Sequence, residues 1–257
     1  MEKEQNAGQT GHFHPITEML RKSVEIFSGI GFEVADGPEL EDEFHNFNAL
    51  NIPADHPARD MQDTFWIKTR NHAEQTQKNA ENAPHSSASV QRRSALLRTH
   101  TSSVQVRYME THKPPFKIIA PGKVFRNEAT DATHEAQFHQ IEGLYVDKEV
   151  SLADLKGVLE YYFKKMFGPD SEIRFRPSYF SFVEPGIEVD IKFKGKWLEV
   201  LGAGIVHPNV LKAVGIDPKI WKGYAFGFGF DRLPMVKYGI DDIRLFYQGD
   251  LRLVNQF

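Results

Sequence analysis

The amino-acid sequence predicts an α+β fold in which an antiparallel β-sheet is flanked by helices. Strand-like segments in its second half mostly follow one another through short turns, which favours antiparallel pairing. A doubly wound parallel sheet would require helices to alternate regularly with strands. The chain has 257 residues, of which 40% are hydrophobic and 26% charged, so it corresponds to one or two globular domains and not to a wholly disordered chain.

Three segments define the predicted domain organisation. Residues 1–13 are polar and are predicted to be a frayed tail. Residues 14–257 are predicted to form one domain. The polar segment 71–95, which is dominated by Ala, Asn, Gln, Ser and His, is predicted to be a flexible insertion that interrupts this domain.

The helices and strands are predicted from periodicity and capping. Pro15 suits the first position of a helix with apolar residues at helical spacing. Ser102 or Thr101 is predicted to cap a second helix, and the clearest helix spans 151–167, with Ser151 and Asp154 as a capping pair. The predicted strands are residues 32–34, 118–120, 123–125, 137–146, 173–176, 179–183, 187–193, 197–205 and 224–230, and a last helix follows Asp231.

Composition excludes several kinds of chemistry. The chain has no cysteine, which excludes disulfides, thiolate nucleophiles, iron–sulfur clusters and cysteine-type zinc sites. A formal net charge of −4 gives no global basic field, although a local basic patch stays possible. No apolar run approaches the ~20 residues that span a bilayer, and the first residues are not a secretory signal. We therefore expect a cytoplasmic protein with no membrane association.

Two neighbouring strand segments carry candidate binding residues. Arg126 and Glu128 are two positions apart on a predicted strand and would share a face. There the Arg126 guanidinium could bind a phosphate, and the Glu128 carboxylate could accept a hydrogen bond from an amino group. The alternative is an exposed ion pair. On the strand 137–146 one face carries Phe138, Gln140, Glu142 and Leu144, which suits a ligand with a flat base and a charged amine, or is simply a solvated face.

Two further runs are glycine-rich or aromatic. In the run 227–232 a glycine-rich strand leads into a helix, and Arg232 in its first turn fits a phosphate or an acidic partner. Phe180 and Phe182 are predicted to face one way on a strand, either packing a core or bounding an aromatic slot with Ala225 and Gly227. A metal site at His134 and His139 is disfavoured because their spacing of five does not place both on one helix face.

Taken together, these segments resemble the catalytic core of class II aminoacyl-tRNA synthetases. The helix and strand ending at Pro38 resemble the first family motif. The run 125–128, with the loop that follows it, resembles the second motif, and the run 227–232 resembles the third. More specific runs resemble the alpha subunits of bacterial-type phenylalanyl-tRNA synthetases, namely 56–61, 63–66, 97–102, 131–135 and 137–143. The resemblance extends from about residue 12 to the C-terminus.

The resemblance implies a catalytic alpha subunit that activates L-phenylalanine with ATP and transfers it to tRNA(Phe). Arg126 and Arg232 would be catalytic and would bind the ATP phosphates, Phe138 would stack on adenine and Glu128 would bind its amino group. His134 and Gly229 complete the implied ATP site. The implied phenylalanine site consists of His100, Ser102, Gln140, Glu142, Phe180, Phe182, Val183, Ala225 and Gly227.

The resemblance also implies a metal ion and a partner. The ion is Mg²⁺, with Glu184 as candidate ligand. The partner is a beta subunit in a tetramer of two alpha and two beta chains. The family usually begins with a long basic helical arm that contacts tRNA, and nothing before His14 can be that arm, so we expect a truncated or naturally short form. The alternatives are a non-catalytic synthetase-like module that binds an amino acid or scaffolds a partner, and an enzyme that uses another acceptor.

Overall fold

The computed structural model of the chain describes residues 13–60, 63–67, 95–193 and 195–257. The predicted polar tail, apart from Phe13, and the predicted insertion 71–95, apart from Ala95, lie outside the described residues. The helices are α1 (Pro15–Ser28), α2 (Glu43–Asn46), α3 (Ser102–Thr111), α4 (Leu152–Phe167), α5 (Pro208–Ala213), α6 (Arg232–Tyr238) and α7 (Leu251–Val254). Short 3₁₀ helices span Asn48–Leu50, Pro57–Arg59 and Ile243–Phe246.

Ten strands of the described part form two sheets. They are β1 (Glu33–Val34), β2 (Leu40–Asp42), β3 (Trp66–Ile67), β4 (Ala95–Leu97), β5 (Phe116–Phe125), β6 (Gln137–Asp147), β7 (Ile173–Phe180), β8 (Val183–Phe193), β9 (Lys196–Val206) and β10 (Lys222–Gly229). The main sheet has the order β1-β5-β6-β10-β9-β8-β7, and β2-β4-β3 form a smaller sheet. Only the short β1 pairs in parallel, with β5, so the antiparallel α+β prediction is confirmed for these residues.

An aromatic core joins α1 and α4 to the main sheet. The Phe27 ring stacks on Tyr162 of α4 at a centroid distance of 4.6 Å and on Phe226 of β10 at 5.3 Å. The Tyr162 hydroxyl shares a hydrogen bond with Ser23 inside this core, at 2.9 Å. Burial of these rings removes a large apolar area from water and holds β10 in place. Several of the 20 phenylalanines of the chain therefore belong to the core.

The residues of β10 alternate between this core and the opposite face. Tyr224, Phe226 and Phe228 are buried in the core cluster. Ala225 and Gly227 lie between them and line a cavity on the other side of the sheet. Because neighbouring residues of a strand point to opposite faces, the aromatic residues of β10 fix the direction of the small ones.

A buried arginine fastens the segment after β4 to the main sheet. The Arg98 guanidinium donates to the carbonyl of Lys123 at 2.8 Å and to that of Gly37 at 2.9 Å. A Cβ on Gly122 would lie 2.2 Å from an Arg98 nitrogen, so glycine is required there for this close approach. The contacts join the connection between β1 and β2 to β5 and position the residues after Arg98.

Several element boundaries differ from the predictions. The strands predicted at 118–120 and 123–125 form one continuous strand, β5. The strand predicted at 179–183 is wrong, because β7 ends at Phe180 and β8 begins at Val183, so a tight turn divides the segment. Thr101 occupies the position before α3 but makes no side-chain capping hydrogen bond. The capping pair of Ser151 and Asp154 at the start of α4 is confirmed.

The described helices offer no candidate for a membrane-spanning segment, since none combines the length and the apolar character that crossing requires.

Candidate active site

A cavity of about 550 Å³ opens on the face of the main sheet opposite the aromatic core. Strands β6 and β10 form its floor, and residues between β4 and α3 and at the turn between β7 and β8 line its sides. The predicted site residues that line it are His100, Ser102, Arg126, Glu128, His134, Phe138, Gln140, Glu142, Phe180, Phe182, Val183, Ala225, Gly227, Gly229 and Arg232. Glu184 is the predicted site residue that is not part of this lining.

Arg126 and Glu128 reach the cavity by a different route from the predicted one. Strand β5 ends at Phe125, so the prediction that both residues share a strand face is wrong. The Arg126 backbone N–H donates to the Ala136 carbonyl at 2.9 Å, which extends the chain past the end of the β5 and β6 ladder. Glu128 is exposed and forms no ion pair with Arg126.

The Arg126 guanidinium is held against an aromatic ring at one end of the cavity. Its Cζ atom lies 5.0 Å from the ring centroid of Phe138, and its Nε donates to the Thr99 carbonyl at 3.2 Å. Burial lowers the pKa of Arg126, the carboxylates of Glu128 and Glu142 raise it, and the positive charge of Arg232 lowers it. The two guanidinium groups define what we call the positive end of the cavity, and groups of this kind bind an anion such as a phosphate.

Strand β6 presents the face that the sequence predicts. Phe138, Gln140, Glu142 and Leu144 all line the cavity. The Gln140 side-chain carbonyl accepts a hydrogen bond from the Thr101 backbone N–H at 3.2 Å, which fixes the orientation of its amide. The face therefore presents one ring, one amide and one carboxylate in line to the cavity, as the alternation of strand residues predicts.

The carboxylate of Glu142 is buried at the centre of a hydrogen-bond network. Ser102 donates its hydroxyl to Glu142 Oε2 at 2.5 Å, and Gln105 donates its amide to the same atom at 2.9 Å. Burial raises the pKa of Glu142 to about 7, while the hydrogen bond from Ser102 and the charge of Arg126 act in the opposite direction. Gln105 was not among the predicted residues, although its position three after Ser102 on one helix face could have indicated it.

His100 carries two buried ring nitrogens without a hydrogen-bond partner among the described residues. Burial lowers the pKa of His100 to about 3, and the charges of Arg126 and Arg98 contribute to this shift. The ring is therefore neutral and can both donate and accept. Because unpaired buried polar atoms are rare and costly, the orientation of His100 on the cavity wall indicates a polar ligand.

The other end of the cavity is an aromatic slot. The rings of Phe180 and Phe182 stack at a centroid distance of 5.8 Å, although Phe180 ends β7 and Phe182 lies in the turn before β8. A Cβ on Gly202 would lie 2.7 Å from the tip of the Phe180 ring, so glycine in β9 lets that ring lie flat on the sheet. Ala225 and Val183 complete the lining, which leaves room for a planar apolar group.

Comparison with known proteins assigns the chain to a family. The family model "tRNA synthetases class II core domain (F)" matches residues 1–257. A phenylalanine–tRNA ligase alpha subunit of Dehalococcoides mccartyi is 51% identical over 96% of this chain and 70% of its own length. The alpha subunits of Acaryochloris marina and Xanthomonas euvesicatoria pv. vesicatoria are 51% and 49% identical, and 67% and 69% of their lengths are matched.

The chain belongs to the phenylalanine–tRNA ligase alpha-subunit family of class II aminoacyl-tRNA synthetases. The fold is also that of this class, because pyrrolysyl-tRNA synthetase from Desulfitobacterium hafniense superimposes with a TM-score of 0.65 over 91% of this chain and 74% of that one. Their sequence identity is 16%, so this likeness concerns the fold alone. Class II synthetases use ATP as a substrate, which accords with the positive end of the cavity.

In this synthetase chain the residue before Arg232 is a buried carboxylate that the sequence reasoning did not single out. Asp231 accepts hydrogen bonds from the His139 backbone N–H at 3.2 Å and from the Tyr247 hydroxyl. Burial and the charge of Asp231 raise the pKa of Tyr247. These contacts join the start of α6 to β6 and to the segment after Phe246, and so they hold the backbone from which Arg232 projects.

The predicted metal ligand Glu184 lies outside the cavity lining. Glu184 is exposed, and one of its carboxylate oxygens lies 3.6 Å from Nε2 of His207. In the described residues, Glu41, Asp42 and His45 could direct three donor atoms to one point. Both Glu41 oxygens already accept from Arg107, at 2.9 and 2.6 Å, so this group is explained as a structural ion pair.

Proposed function

We propose that this cavity activates L-phenylalanine with ATP and that the chain, as a catalytic alpha subunit, transfers the phenylalanyl group to tRNA(Phe). One observation supports this most strongly: a single cavity joins a positive end to an aromatic slot, with a carboxylate network between them. The dimensions suit two substrates bound side by side. A beta subunit, in a tetramer of two alpha and two beta chains, is part of the proposal.

The amino-acid end is proposed to bind each part of phenylalanine by complementary chemistry. The apolar ring enters the slot beside Phe180 and Phe182, where it replaces water. The ammonium group is held by the Glu142 carboxylate, with Ser102 and Gln140 next to it. The neutral ring of His100 supplies a hydrogen-bond donor or acceptor for the other polar atoms of phenylalanine.

The nucleotide end is proposed to bind ATP through the two arginines and Phe138. The guanidinium groups of Arg126 and Arg232 neutralise charge on the phosphate oxygens. The Phe138 ring, on which Arg126 now lies, offers a flat surface for adenine. Glu128 and His134 line the mouth of the same region and are proposed to contact the base and the phosphates.

The proposed activation step needs no general acid or base. A carboxylate oxygen of phenylalanine forms a bond to the α-phosphorus, the bond from that phosphorus to the bridging oxygen breaks, and pyrophosphate leaves with its electron pair. The nucleophile is already ionised, so no proton has to be moved. Rate acceleration then comes from alignment of the two substrates and from stabilisation of phosphate charge by the arginines.

Mg²⁺ is proposed as the ion that accompanies ATP. A hard divalent cation prefers carboxylate and phosphate oxygens, and it would neutralise phosphate charge when bound. The exposed carboxylate of Glu184 has suitable chemistry but lies outside the cavity lining, so it fits a peripheral ion better than one within the cavity.

Phenylalanine affinity is expected to increase as pH rises through about 7. Below that value Glu142 is protonated in the free protein, because burial raises its pKa to about 7, and it cannot pair with the substrate ammonium group. Stability changes in the opposite direction. As pH rises from 4.5, the ordinary pKa of Glu142, to about 7, the ligand-free chain becomes less stable, because the unfolded chain releases this proton before the folded one does. Calorimetric titration with phenylalanine checks the first effect, and Glu142→Gln should flatten the profile. An unchanged inflection in that variant would contradict this role of Glu142.

Ala225→Gly is expected to admit para-substituted phenylalanines. The change removes the methyl group that closes the slot, and one methylene is worth about 10- to 200-fold in discrimination. The ratio of kcat/KM for para-chlorophenylalanine to that for phenylalanine measures it, with Ala153→Gly on α4 as a control far from the cavity. Unchanged discrimination would place Ala225 away from the end of the bound ring.

The proposed activity is tested by phenylalanine-dependent exchange of pyrophosphate into ATP, with the chain assembled with its beta subunit. We expect exchange that requires phenylalanine and is not supported by other amino acids of similar size. Binding of phenylalanine without exchange would favour the non-catalytic module. Exchange without charging of tRNA(Phe) would favour an enzyme that uses another acceptor.

A further inference from the structure

We propose that Tyr179, at the rim of the cavity, is the platform on which the terminal base of the tRNA acceptor end stacks. Tyr179 precedes Phe180, the last residue of β7, so two successive residues at this strand end place one ring at the rim and the next in the slot. The inference rests on the proposed transfer to tRNA and concerns only the second step of the reaction.

The exposure of Tyr179 is the first observation that supports this role. Its side chain is 86% exposed, the largest value among the exposed large hydrophobic residues of the described chain. It has no hydrogen bond, ring contact or cation contact with any described residue. A tyrosine ring held in water gains free energy when a flat apolar surface covers it, and a single exposed ring of this kind suits a nucleobase.

The strand pairing around Tyr179 is a second, independent observation. Ser178 pairs with Gly186 and Phe180 pairs with Val183, so Glu184 and Pro185 of β8 together oppose Tyr179 in a β-bulge. Such bulges redirect side chains and occur next to active sites more often than elsewhere. The ladder is thus interrupted at the residue that carries the exposed ring.

Two glycines make room for this bulge. A Cβ on Gly186 would lie 2.7 Å from the Ser178 carbonyl oxygen, and one on Gly204 would lie 2.5 Å from the Pro185 carbonyl oxygen. Neither contact is tolerable for a side chain, so the sequence supplies glycine on both sides of the bulge. The geometry at Tyr179 is therefore built into three strands and is not a loosely placed loop.

The chemistry of the transfer step identifies the occupant. A ribose hydroxyl oxygen of the terminal nucleotide forms an ester bond with the carbonyl carbon of the phenylalanyl-adenylate. The bond from that carbon to the phosphate oxygen breaks, and AMP leaves with the hydroxyl proton on a phosphate oxygen. The ribose must enter through the cavity mouth, and its base then lies at the rim. Unstacked bases at single-stranded RNA ends are commonly held by aromatic side chains.

The test compares the two reaction steps in the assembled alpha and beta complex. Tyr179→Ala is expected to leave pyrophosphate exchange within about twofold and to lower kcat/KM for tRNA(Phe) by about 5- to 150-fold, the range for loss of one base–aromatic stack. Tyr179→Phe retains the ring and is expected to restore charging. Tyr161→Ala, which removes another exposed ring from α4, serves as the matched control.

A tRNA whose terminal nucleotide keeps its ribose but lacks its base completes a double-mutant cycle. With this substrate the wild-type and Tyr179→Ala complexes are expected to charge equally slowly, because the stacking partner is absent. The same loss with and without the base would overturn the inference, and so would equal loss of exchange and charging. Weaker assembly of Tyr179→Ala with the beta subunit would assign the ring to that interface instead. Absence of exchange in the wild type would overturn the proposed function itself.

Discussion

Arg126→Ala is expected to reduce phenylalanine-dependent pyrophosphate exchange by about 10³-fold or more, the scale on which phosphate-binding arginines act in phosphoryl transfer. The guanidinium lies over Phe138 at the positive end of the cavity. Loss of its charge leaves the developing phosphate charge without one of its two arginines. Steady-state exchange with saturating phenylalanine measures the effect.

The fold is expected to survive this substitution. Arg126 lies beyond the end of β5, and within the described part of the chain its side chain makes one hydrogen bond, to the Thr99 carbonyl. Arg252→Ala is the matched control, because Arg252 is exposed and, among the residues that the structure describes, its guanidinium pairs only with Asp250. The thermal unfolding midpoint of both variants should stay close to that of the wild type. Near-normal exchange in Arg126→Ala would contradict the role of this arginine in ATP binding.

Gly227→Ala is expected to raise KM for phenylalanine by about 10- to 150-fold, the range for a lost hydrogen bond to a charged group. A Cβ at this position would lie 2.8 Å from Cγ of Glu142 and 3.1 Å from its Cδ. The carboxylate must then move away from Ser102 and Gln105, which hold it at the centre of the amino-acid end. KM values for phenylalanine and ATP, measured separately in exchange, distinguish a local effect from a global one.

The matched control for Gly227→Ala is Gly157→Ala in α4. An added methyl group at Gly157 meets no atom within 4 Å, and alanine favours a helix. We expect this variant to have normal KM values and slightly higher stability. If Gly227→Ala changes KM for ATP as much as KM for phenylalanine, the substitution disturbs the whole cavity, and the assignment of Glu142 to the amino-acid end loses its support.

Strand alternation made one face of the site predictable from sequence. The side chains of Phe138, Gln140 and Glu142 share a face because they lie two residues apart on a regular strand, and the structure places all three on the cavity wall. The same rule places Ala225 and Gly227 opposite the core residues of β10. Helix α4 was also predictable, since its cap and apolar stripe are local signals.

Other parts of the site depend on contacts between residues far apart in the chain. Phe180 and Phe182 were expected to share a strand face, but their stacking arises at the turn between β7 and β8, just before the bulge in β8. The buried ion network of Asp231 depends on Tyr247 from the last segment of the chain. Periodicity carries no information about such pairings, because they are set by tertiary packing.

The end of β5 was also not predictable from the sequence. Arg126 and Glu128 are two positions apart, which suits a strand, yet β5 ends at Phe125, one residue before Arg126. The chain stays extended there because Arg126 bonds to Ala136 beyond the ladder. Both residues line the cavity, but the shared strand face from which the sequence predicted their proximity is not present there.

The most direct test of the account is a crystal structure of the assembled alpha and beta complex with phenylalanine and a non-hydrolysable ATP analogue. We predict density for the phenylalanine ring beside Phe180 and Phe182, its ammonium group at Glu142, and the triphosphate between the guanidinium groups of Arg126 and Arg232. Density for either ligand elsewhere, with this cavity closed by the chain's own side chains, would contradict the account.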